Sequence, residues 1–474
     1  MNKKLLVVAV AAALAAPAVA FAQSSVTISG KFSVTADQVS YSRASQSTVA
    51  AGAAGPVQRA GNSSETRVSD NSSRIIFNVR EDLGNGLAAV AQLDQRFNPA
   101  TQAQPTGASF AVITGSGNTW VGLQSTTWGK MTFGRHDLHY GKSGDSWNAA
   151  GALSLQSWGS ALFDQIARPT VAATATNAKS TSNVTLANQS RTNGVIRWEA
   201  PNWNGFDGTI AWSANPLTGG SGQASTGGDL GAGAWGTGSN AGQIITRRGQ
   251  GWNINPRYTA SNWNVEYSYW NAKSDINSAG VNNSSVTCNN QAVQGNTIGA
   301  TGCAASAVTA GQALLVDDQR SDVLAGGVSW NSWTFGVAWN RSKTTSPLSG
   351  LVSGDRSAWS LPVSYTSGPH HFGFVYVKAN DSKDVSVGAG TTIATATITP
   401  MSGADTGAKM FTLSYQYNLS KRTGVGLTWS QISNSANANY NFFYNSPTAF
   451  GSANTSTLAG EKVNLVGATI RHNF

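Results

Sequence analysis

Residues 74–80 read RIIFNVR, and the character of the side chains changes from one residue to the next. In an extended chain one face then carries Ile75, Phe77 and Val79. The other face carries Arg74, Asn78 and Arg80. A period of two residues predicts a β-strand with one apolar and one polar face. A short turn at Leu83–Gly86 follows, so this stretch predicts the first arm of an antiparallel hairpin.

The same alternation recurs along the chain and identifies further strands. It is found in VTISGKFSV (26–34), GVIRWEA (194–200), SWTFGVAWNR (332–341), MFTLSYQYNL (410–419) and, more weakly, KVNLVGATIRHNF (462–474). The polar faces carry charges, among them Lys31, Arg74, Arg80, Arg197 and Glu199. The core of a β-sandwich would not tolerate them, but its solvent face would. Alternation alone therefore leaves a soluble β-sandwich and a transmembrane barrel both open.

The N-terminus indicates export. Lys3 and Lys4 precede the apolar run Leu5–Leu14, and Ala20–Ala22 forms an A-x-A cleavage box. We expect a signal peptide at residues 1–22 and a single mature domain at 23–474. A membrane anchor is the alternative, but the run is short. No later run reaches the ~18 apolar residues of a spanning helix. The destinations left are a soluble exported protein and an outer-membrane β-barrel.

Composition and connector lengths favour the barrel. Only 11% of the residues are charged, although the formal net charge is +9, and 52 glycines and 16 tryptophans are present. The seven short turns are Leu83–Gly86, Thr126–Gly129, Pro201–Asp207, Ala260–Asn262, Asn331–Ser332, Ser367–His370 and Leu419–Thr423. They alternate with eight long polar segments near 40–72, 99–116, 138–190, 216–250, 273–319, 343–355, 381–406 and 436–460. These connectors predict an all-β, 16-stranded antiparallel transmembrane β-barrel.

Aromatic residues and cysteines add two further expectations. The pairs Trp198/Trp203, Trp263/Trp270, Trp330/Trp333 and Tyr440/Phe442 lie near predicted strand ends, as aromatic girdles at the lipid interfaces would. Ordinary core aromatics are the alternative. Cys288 and Cys303 lie in a polar segment of an exported chain, and we expect a disulfide that staples this loop.

The stretches above resemble the general porins of Gram-negative outer membranes, of the β-proteobacterial type. The matching pieces are SSVTISGKF (24–32), SRIIFNVREDLGNGLAAVAQLD (73–94), TWVGLQSTTWGKMTFGR (119–135), RTNGVIRWEAPNWNGF (191–206), LSKRTGVGL (419–427) and GATIRHNF (467–474). The most specific signal is the order EDLG-x-G-L, LSKRT and terminal RH-x-F. The chain departs from the family by longer loops near 40–72, 138–190 and 273–319.

The resemblance implies a homotrimer of water-filled barrels with short periplasmic turns, long extracellular loops and an inward-folded third loop. Its partners would be outer-membrane lipids and lipopolysaccharide, small hydrophilic solutes and ions, and the barrel assembly machinery. That machinery would read Phe474 as part of its signal. No cofactor is expected. The function implied is passive diffusion of small hydrophilic solutes through the outer membrane.

The resemblance also implies a constriction between a basic wall and the third loop. Lys31, Arg74 and Arg135 match basic positions of the family's wall, and Arg197 lies near another that Glu199 occupies here. Arg80 is a further wall cation. The loop 138–190 would contribute Asp145 and Asp164. We expect a net positive constriction and a mild anion preference, with a near-neutral pore as the alternative. In a regular strand Arg135 would lie on the same face as Met131 and Phe133, so a bulge at Gly134 is needed to turn its side chain inward.

Other functions have weaker support. A substrate-specific channel or an adhesin-like barrel is compatible with the pattern. His136 and His139 suggest a catalytic or metal-binding pair, but no nucleophile motif and no third ligand accompany them, so we expect neither catalysis nor a metal site. Nucleic acid is not expected as a partner, because the basic residues are scattered, with only Arg247–Arg248 and Lys421–Arg422 adjacent.

Overall fold

The computed structural model describes residues 24–42, 63–70, 73–97, 99, 117–139, 162, 165–168, 182–185, 191–214, 216, 245–247, 249–273, 276–277, 286–288, 291–293, 317–345, 350–389, 397–442 and 460–474. The expected signal peptide, residues 1–22, lies outside them. The described part of the chain is built from strands and turns, and no helix in it has the length and hydropathy to cross a membrane.

The described ranges contain twenty-five strands, and seventeen of them make one antiparallel sheet. The strands of that sheet are β1 (Ser25–Ser42), β2 (Ser63–Asp70), β3 (Arg74–Gly84), β4 (Leu87–Arg96), β5 (Thr119–Ser125), β6 (Gly129–Asp137), β9 (Arg191–Glu199), β10 (Phe206–Ala214), β12 (Gln250–Thr259), β13 (Trp263–Lys273), β17 (Asp318–Trp330), β18 (Trp333–Thr345), β19 (Val352–Ser367), β20 (His370–Ala379), β23 (Ala408–Asn418), β24 (Thr423–Asn434) and β25 (Lys462–Asn473). The others pair two by two within the long connecting segments: β7 (Gln165–Arg168) with β8 (Ser182–Thr185), β11 (Ile245–Arg247) with β14 (Ile276–Asn277), β15 (Val286–Cys288) with β16 (Gln291–Val293), and β21 (Val385–Ala389) with β22 (Thr397–Met401).

The large sheet closes on itself because the first and last strands pair. Lys31–Ser42 of β1 lie opposite Lys462–Asn473 of β25. On its other edge β1 pairs first with β3 and then with β2. These two strands occupy one position in the wall, so the seventeen strands form a barrel of sixteen positions. The predicted fold class is confirmed.

The strand β2 corrects one predicted boundary. Residues 40–72 were expected to form a loop, but β1 continues to Ser42 and pairs with Ser63–Asp70. The pairing runs from Val34↔Asp70 to Tyr41↔Ser63, so this hairpin extends the wall at the end of the barrel that carries the long segments. The sequence of β2, SSETRVSD, has little apolar alternation, which is why its pattern gave no strand signal.

All seven predicted short turns are present at one end of the barrel. They join β3 to β4, β5 to β6, β9 to β10, β12 to β13, β17 to β18, β19 to β20, and β23 to β24. Asn85 and Asn331 have φ angles of 53°, in the left-handed region that tight hairpin turns require. We call this rim the short-turn end and the opposite rim the long-loop end.

The two faces of the wall differ as the alternation predicts. Outward-facing apolar side chains are strongly exposed, among them Val26, Ile28, Val121, Val337, Leu427 and Ile470. The residues between them face inward, and many are polar, among them Ser33, Thr132, Asn253, Ser268, Asn340 and Thr469. A barrel with an apolar exterior and a polar interior suits a lipid surround and an aqueous lumen.

Aromatic side chains cluster on the outer face near the short-turn end. Ring centroids are 6.3 Å apart for Trp198 and Trp203, and 5.1 Å apart for Tyr258 and Trp263. Further along the rim, Trp333 lies 4.8 Å from Tyr365. These contacts form the girdle expected at a lipid interface.

Three of the aromatics assigned to girdles lie elsewhere. Trp270 is fully buried and points inward, since it pairs with Asn253 and Ser321 of the polar face. Tyr440 and Phe442 are buried in the apolar cluster inside the long-loop half of the barrel. The girdle assignment was wrong for these residues, because sequence distance from a strand end does not fix the face on which a side chain lies.

Candidate functional site

The third long segment enters the barrel. It leaves the wall at β6 and returns at β9, yet its strand β7 contacts β19, which lies far around the barrel wall. Leu162 and Ile166 of this segment are fully buried, in one apolar cluster with inward residues of the wall. Because both side chains pack against the far wall, the segment crosses the lumen and narrows it. This is the inward-folded third loop that the family resemblance implies.

The inner face of β1, β3 and β4 carries a row of three directly opposed cations. Lys31 of β1 pairs with Arg74 of β3, and Arg74 pairs with Arg96 of β4. Directly opposed residues of a sheet share one face and have Cβ atoms about 5 Å apart. Lys31 is 8% exposed as a whole residue, and the side chain of Arg74 retains 25% exposure. The row forms a compact positive patch on the inner surface.

Asp94 partly neutralises this row from within the wall. Its carboxylate is 3.1 Å from Nε of Arg96 and 3.6 Å from Nη1 of Arg74. The residue is fully buried and also accepts a hydrogen bond from the backbone N–H of Asn118. These contacts place an acidic group between two cations of the row and orient both arginines.

A second charged group lies on β6 and β9. Nη2 of Arg197 donates to Glu199 at 2.6 Å, and Nζ of Lys130 lies 3.3 Å from the same carboxylate. Lys130 is directly opposite Glu199 in the register. Because one acid is shared by two cations, this group keeps a net positive charge.

Arg135 lies at an irregularity of the wall. Gly134 has a φ angle of 146°, and the pairing of β6 with β9 shifts register between Gly134 and His136. A Cβ on Gly134 would lie 2.4 Å from the carbonyl oxygen of Thr119, so this close approach requires glycine. The guanidinium of Arg135 interacts electrostatically with Asp137, Arg96 and Asp94.

Arg80 lies away from this patch. It is six residues beyond Arg74 on β3, a separation of about 20 Å along the strand. Its Nη1 donates to Oε1 of Gln124 at 3.0 Å, and both residues are exposed. Arg80 therefore lines the mouth at the short-turn end, and the cation row lies deeper in the barrel.

Sequence reasoning missed Arg96, Asp94, Lys130 and Arg471. Arg471 is paired with Ser33 and interacts electrostatically with Lys31, so it extends the positive patch across the seam. The alternation of each strand places these residues on its inner face. The pattern of one strand does not give the register between strands, which brings residues of different strands together.

The two candidate histidines make structural contacts. Nε2 of His136 lies 3.1 Å from Oγ1 of Thr132, and Nδ1 of His139 lies 2.8 Å from Oγ of Ser268. Both histidines are buried. Within the described ranges, no three His, Cys, Asp or Glu side chains are close enough to hold a metal ion.

Several candidate residues lie outside the described part of the chain. Asp145 and Asp164 of the third loop are among them, and so is Cys303. Cys288 ends the short strand β15, but the expected Cys288–Cys303 disulfide stays a prediction. Phe474 is described: its backbone N–H and C=O both bond to Gly30, each at 3.1 Å, so the last residue joins the seam of the barrel.

A closed antiparallel barrel with an apolar belt outside, charged polar walls inside and a loop across its lumen is an outer-membrane diffusion channel. The comparisons with known proteins agree with this class. The chain matches the model of the Gram-negative porin family over residues 9–437. It belongs to that family, and it forms a channel for passive diffusion across the outer membrane. The short-turn end is accordingly the periplasmic end, and the long-loop end is extracellular.

Solved structures share the fold. The anion-selective porin from Comamonas acidovorans is 16% identical, with a TM-score of 0.58, over 95% of this chain and 100% of that one. The outer-membrane-expressed OmpT of Vibrio cholerae is 11% identical, with a TM-score of 0.51, over 95% of this chain and 98% of that one. No curated protein matches the sequence.

Proposed function

We propose that this porin is a general diffusion channel with a mild preference for anions. The observation that carries the proposal is the inward row Lys31, Arg74 and Arg96, in a barrel whose lumen is crossed by the third loop. Fixed charge in a narrow aqueous passage with a low-dielectric wall raises the local concentration of counter-ions. A positive row at this depth attracts chloride and small organic anions and repels potassium.

The charge balance of the described wall supports the same sign. The basic residues of this region are Lys31, Arg74, Arg96, Lys130, Arg135, Arg197 and Arg471. The acidic residues are Asp70, Asp94, Asp137 and Glu199. The basic residues outnumber these acids, so the surplus is positive. The anion selectivity named for the Comamonas porin is consistent with this proposal.

The proposal includes four further features of the protein. The channel transports by diffusion and catalyses no reaction, since its charged groups act on solutes through their field. It assembles as a homotrimer, and Phe474 at the barrel seam is read by the barrel assembly machinery. Asp145 and Asp164 are proposed as the loop acids opposite the basic wall.

Reversal potential tests the selectivity. The refolded mature protein is inserted into a planar bilayer that separates two KCl concentrations, and the potential at zero current is measured. We expect stepwise conductance with a reversal potential of the anion sign. A potential of the cation sign would contradict the proposed role of the wall. Correctly folded barrels that conduct no current would favour the adhesin-like alternative.

A sugar series distinguishes the substrate-specific alternative. In liposome swelling, a general diffusion channel admits neutral solutes at rates that fall smoothly with their size. A rate that depends on the identity of the sugar at constant size would favour a specific channel. We expect the smooth dependence on size.

A further inference from the structure

The last long segment of the chain also folds back into the barrel. It leaves the wall at the end of β24 and returns at the start of β25. We call residues 435–442 the fold-back segment, and its side chains Ala438, Tyr440 and Phe442 are 0%, 1% and 7% exposed. They belong to the same apolar cluster as the buried residues of the third loop. Connecting segments at a barrel rim normally lie in solvent, so this burial means that the segment packs inside the lumen.

The wall residues of this cluster cover half of the barrel. They face inward from eight neighbouring positions, β17, β18, β19, β20, β23, β24, β25 and β1. Several of them are directly opposed, namely Ala358↔Ala379, Met410↔Ile432 and Val39↔Leu465. The charged group of Lys130, Arg197 and Glu199 lies on β6 and β9, in the other half of the wall. The lumen is therefore asymmetric, with apolar packing on one side and charged groups on the other.

Hydrogen bonds from one side chain hold the fold-back segment. Asn434, the last residue of β24, accepts a hydrogen bond at Oδ1 from the backbone N–H of Tyr440 at 2.8 Å. Its Nδ2 donates to the carbonyl oxygens of Tyr440, at 3.1 Å, and Glu461, at 2.9 Å. The backbone N–H of Gly460 donates to the carbonyl oxygen of Ala438 at 2.9 Å. Both ends of the last loop are thus tied to its fold-back segment, which fixes the direction in which Tyr440 enters the barrel.

The third loop is held at two places that differ in construction. Its first residue beyond β6, Leu138, is fully buried with Trp270 and Ala272 of β13 in a second apolar cluster. Further along the loop, Leu162 and Ile166 pack in the cluster that also contains the fold-back segment. Cavities left by the loss of buried side chains weaken the packing of their neighbours. The position of the third loop at this second place therefore depends on aromatic rings that another loop provides.

We propose that the last loop forms the second part of the constriction, with Tyr440 and Phe442 as positioning residues that hold the third loop against β19. The fold-back segment fills the apolar side of the lumen. Permeating solutes are thereby confined to the side with the cation row, where the passage is narrow and the field of the row is strong. The inference rests on the proposed diffusion channel, but not on the sign of its ion preference.

Single-channel conductance in planar bilayers and liposome swelling with sugars of increasing size test the inference on the full mature protein. The test variant is Tyr440→Ala with Phe442→Ala. The matched control is Tyr376→Ala with Phe411→Ala, which removes the same two residue types from the outer face, where their ring centroids lie 4.8 Å apart. Tyr440→Phe with Phe442→Leu keeps the apolar volume of the cluster and should behave as the parent does.

We expect the test variant to raise the mean conductance by about 1.5-fold or more, because the conductance of a water-filled passage increases with its cross-section. Sugars too large for the parent should enter at measurable rates. Ile166→Ala should have an effect of the same kind. A variant with all three substitutions should conduct no better than the more conductive of the two, since residues that act through one cluster are not additive. Heat-modifiable gel mobility shows which variants are folded.

Asn434→Ala provides a second test that leaves the apolar cluster intact. It removes the side-chain hydrogen bonds to Tyr440 and Glu461, so the fold-back segment loses its fixed direction. The mean conductance should rise, as it does for the test variant. The inference therefore stays testable if Tyr440→Ala with Phe442→Ala does not fold.

Three results would overturn the proposal. Folded variants with the conductance and sugar limit of the parent would show that the fold-back segment does not define the passage. Effects that add to those of Ile166→Ala would show that the last loop blocks the lumen without positioning the third loop. An equal rise in the outer-face control would show a general loosening of the barrel. A parent without conductance would reject the diffusion channel itself, whereas any of these three results with a conducting parent rejects this inference alone.

Discussion

Lys31 of β1 and Arg74 of β3 occupy directly opposed positions, with both side chains on the inner face of the barrel. Arg96 extends the row on the next strand. Opposed like charges reduce the stability of a sheet. Asp94 offsets part of this cost through its contacts with both arginines. The cations of the row repel one another, and the buried Asp94 offsets part of this repulsion. The positive potential that remains acts on ions in the lumen.

Reversing one charge of the row should reduce the anion preference. Arg74→Glu changes the local charge by two units. At about 6 Å in a water-like dielectric, this alters the energy of an ion by about 1.4 kcal/mol, or up to about tenfold in relative permeability. The reversal potential in a KCl gradient should move toward zero or change sign.

Arg80→Glu is the matched control for that substitution. It makes the same change on the same strand and face, but at the exposed periplasmic mouth. Screening over more than one Debye length should leave the reversal potential close to that of the parent. Equal shifts for Arg74→Glu and Arg80→Glu would show that net charge, and not the row, sets the selectivity.

Asp94→Asn should raise the anion preference of the channel and lower the stability of the barrel. Removing the negative charge leaves the row more positive, so anion preference should rise. Arg74 and Arg96 also lose the charged partner that the fully buried Asp94 provides. The loss of these contacts should lower the free energy of unfolding by about 1–3 kcal/mol. Reversal potential and urea unfolding in detergent micelles measure the two effects. A rise in stability would contradict the role assigned to Asp94.

Glu199→Gln tests the second charged group. Arg197 and Lys130 share this carboxylate, so the variant releases two cations toward the lumen. Chloride permeability relative to potassium should increase, with a smaller loss of stability than for Asp94→Asn, because the side chain of Glu199 is 37% exposed. An unchanged ratio would contradict the role assigned to this group and would favour the near-neutral pore.

Gly30→Val should disturb the seam of the barrel. A Cβ at this position would lie 2.3 Å from the carbonyl oxygen of Arg74 and 2.7 Å from the ring of Phe474. Overpacking of this kind costs about 1–3 kcal/mol. Refolding yield, followed by heat-modifiable gel mobility, should fall. Ala36→Val, on the exposed outer face of the same strand, is the control and should fold normally.

Ile166→Asp should loosen the third loop. Ile166 is fully buried in the apolar cluster inside the barrel, and an unpaired buried carboxylate there would be strongly unfavourable. We expect a noisier single-channel current with a larger mean conductance, since the loop no longer packs firmly against the far wall. An unchanged conductance would show that this packing does not define the passage.

Much of the fold follows from local patterns. Period-two alternation in segments such as 74–80 and 410–419 predicts the strands and the face of each side chain, because a strand has only two faces. Short turns and long polar segments fix the number of strands. The loop expected over 40–72 was partly wrong, because β2 is held by pairing with β1 and carries no amphipathic pattern of its own.

The site was predicted less completely than the fold. Lys31 and Arg74 were selected and do lie side by side, whereas Arg80, selected by the same criterion, lies at the periplasmic mouth. Arg96 and Asp94 were not predicted as site residues, although the alternation of β4 places both on its inner face. Depth in the lumen depends on register and strand tilt, which no single strand encodes.

The class of architecture follows from the amino-acid sequence, because amphipathic strands joined by alternating short and long connectors in an exported chain predict a closed barrel, which satisfies the backbone in lipid. Which charges meet depends on the tertiary structure. Residues 31, 74 and 96 are distant in the chain and become neighbours through antiparallel register. Local alternation is set by the geometry of one strand, whereas an electrostatic site is set by distances between strands.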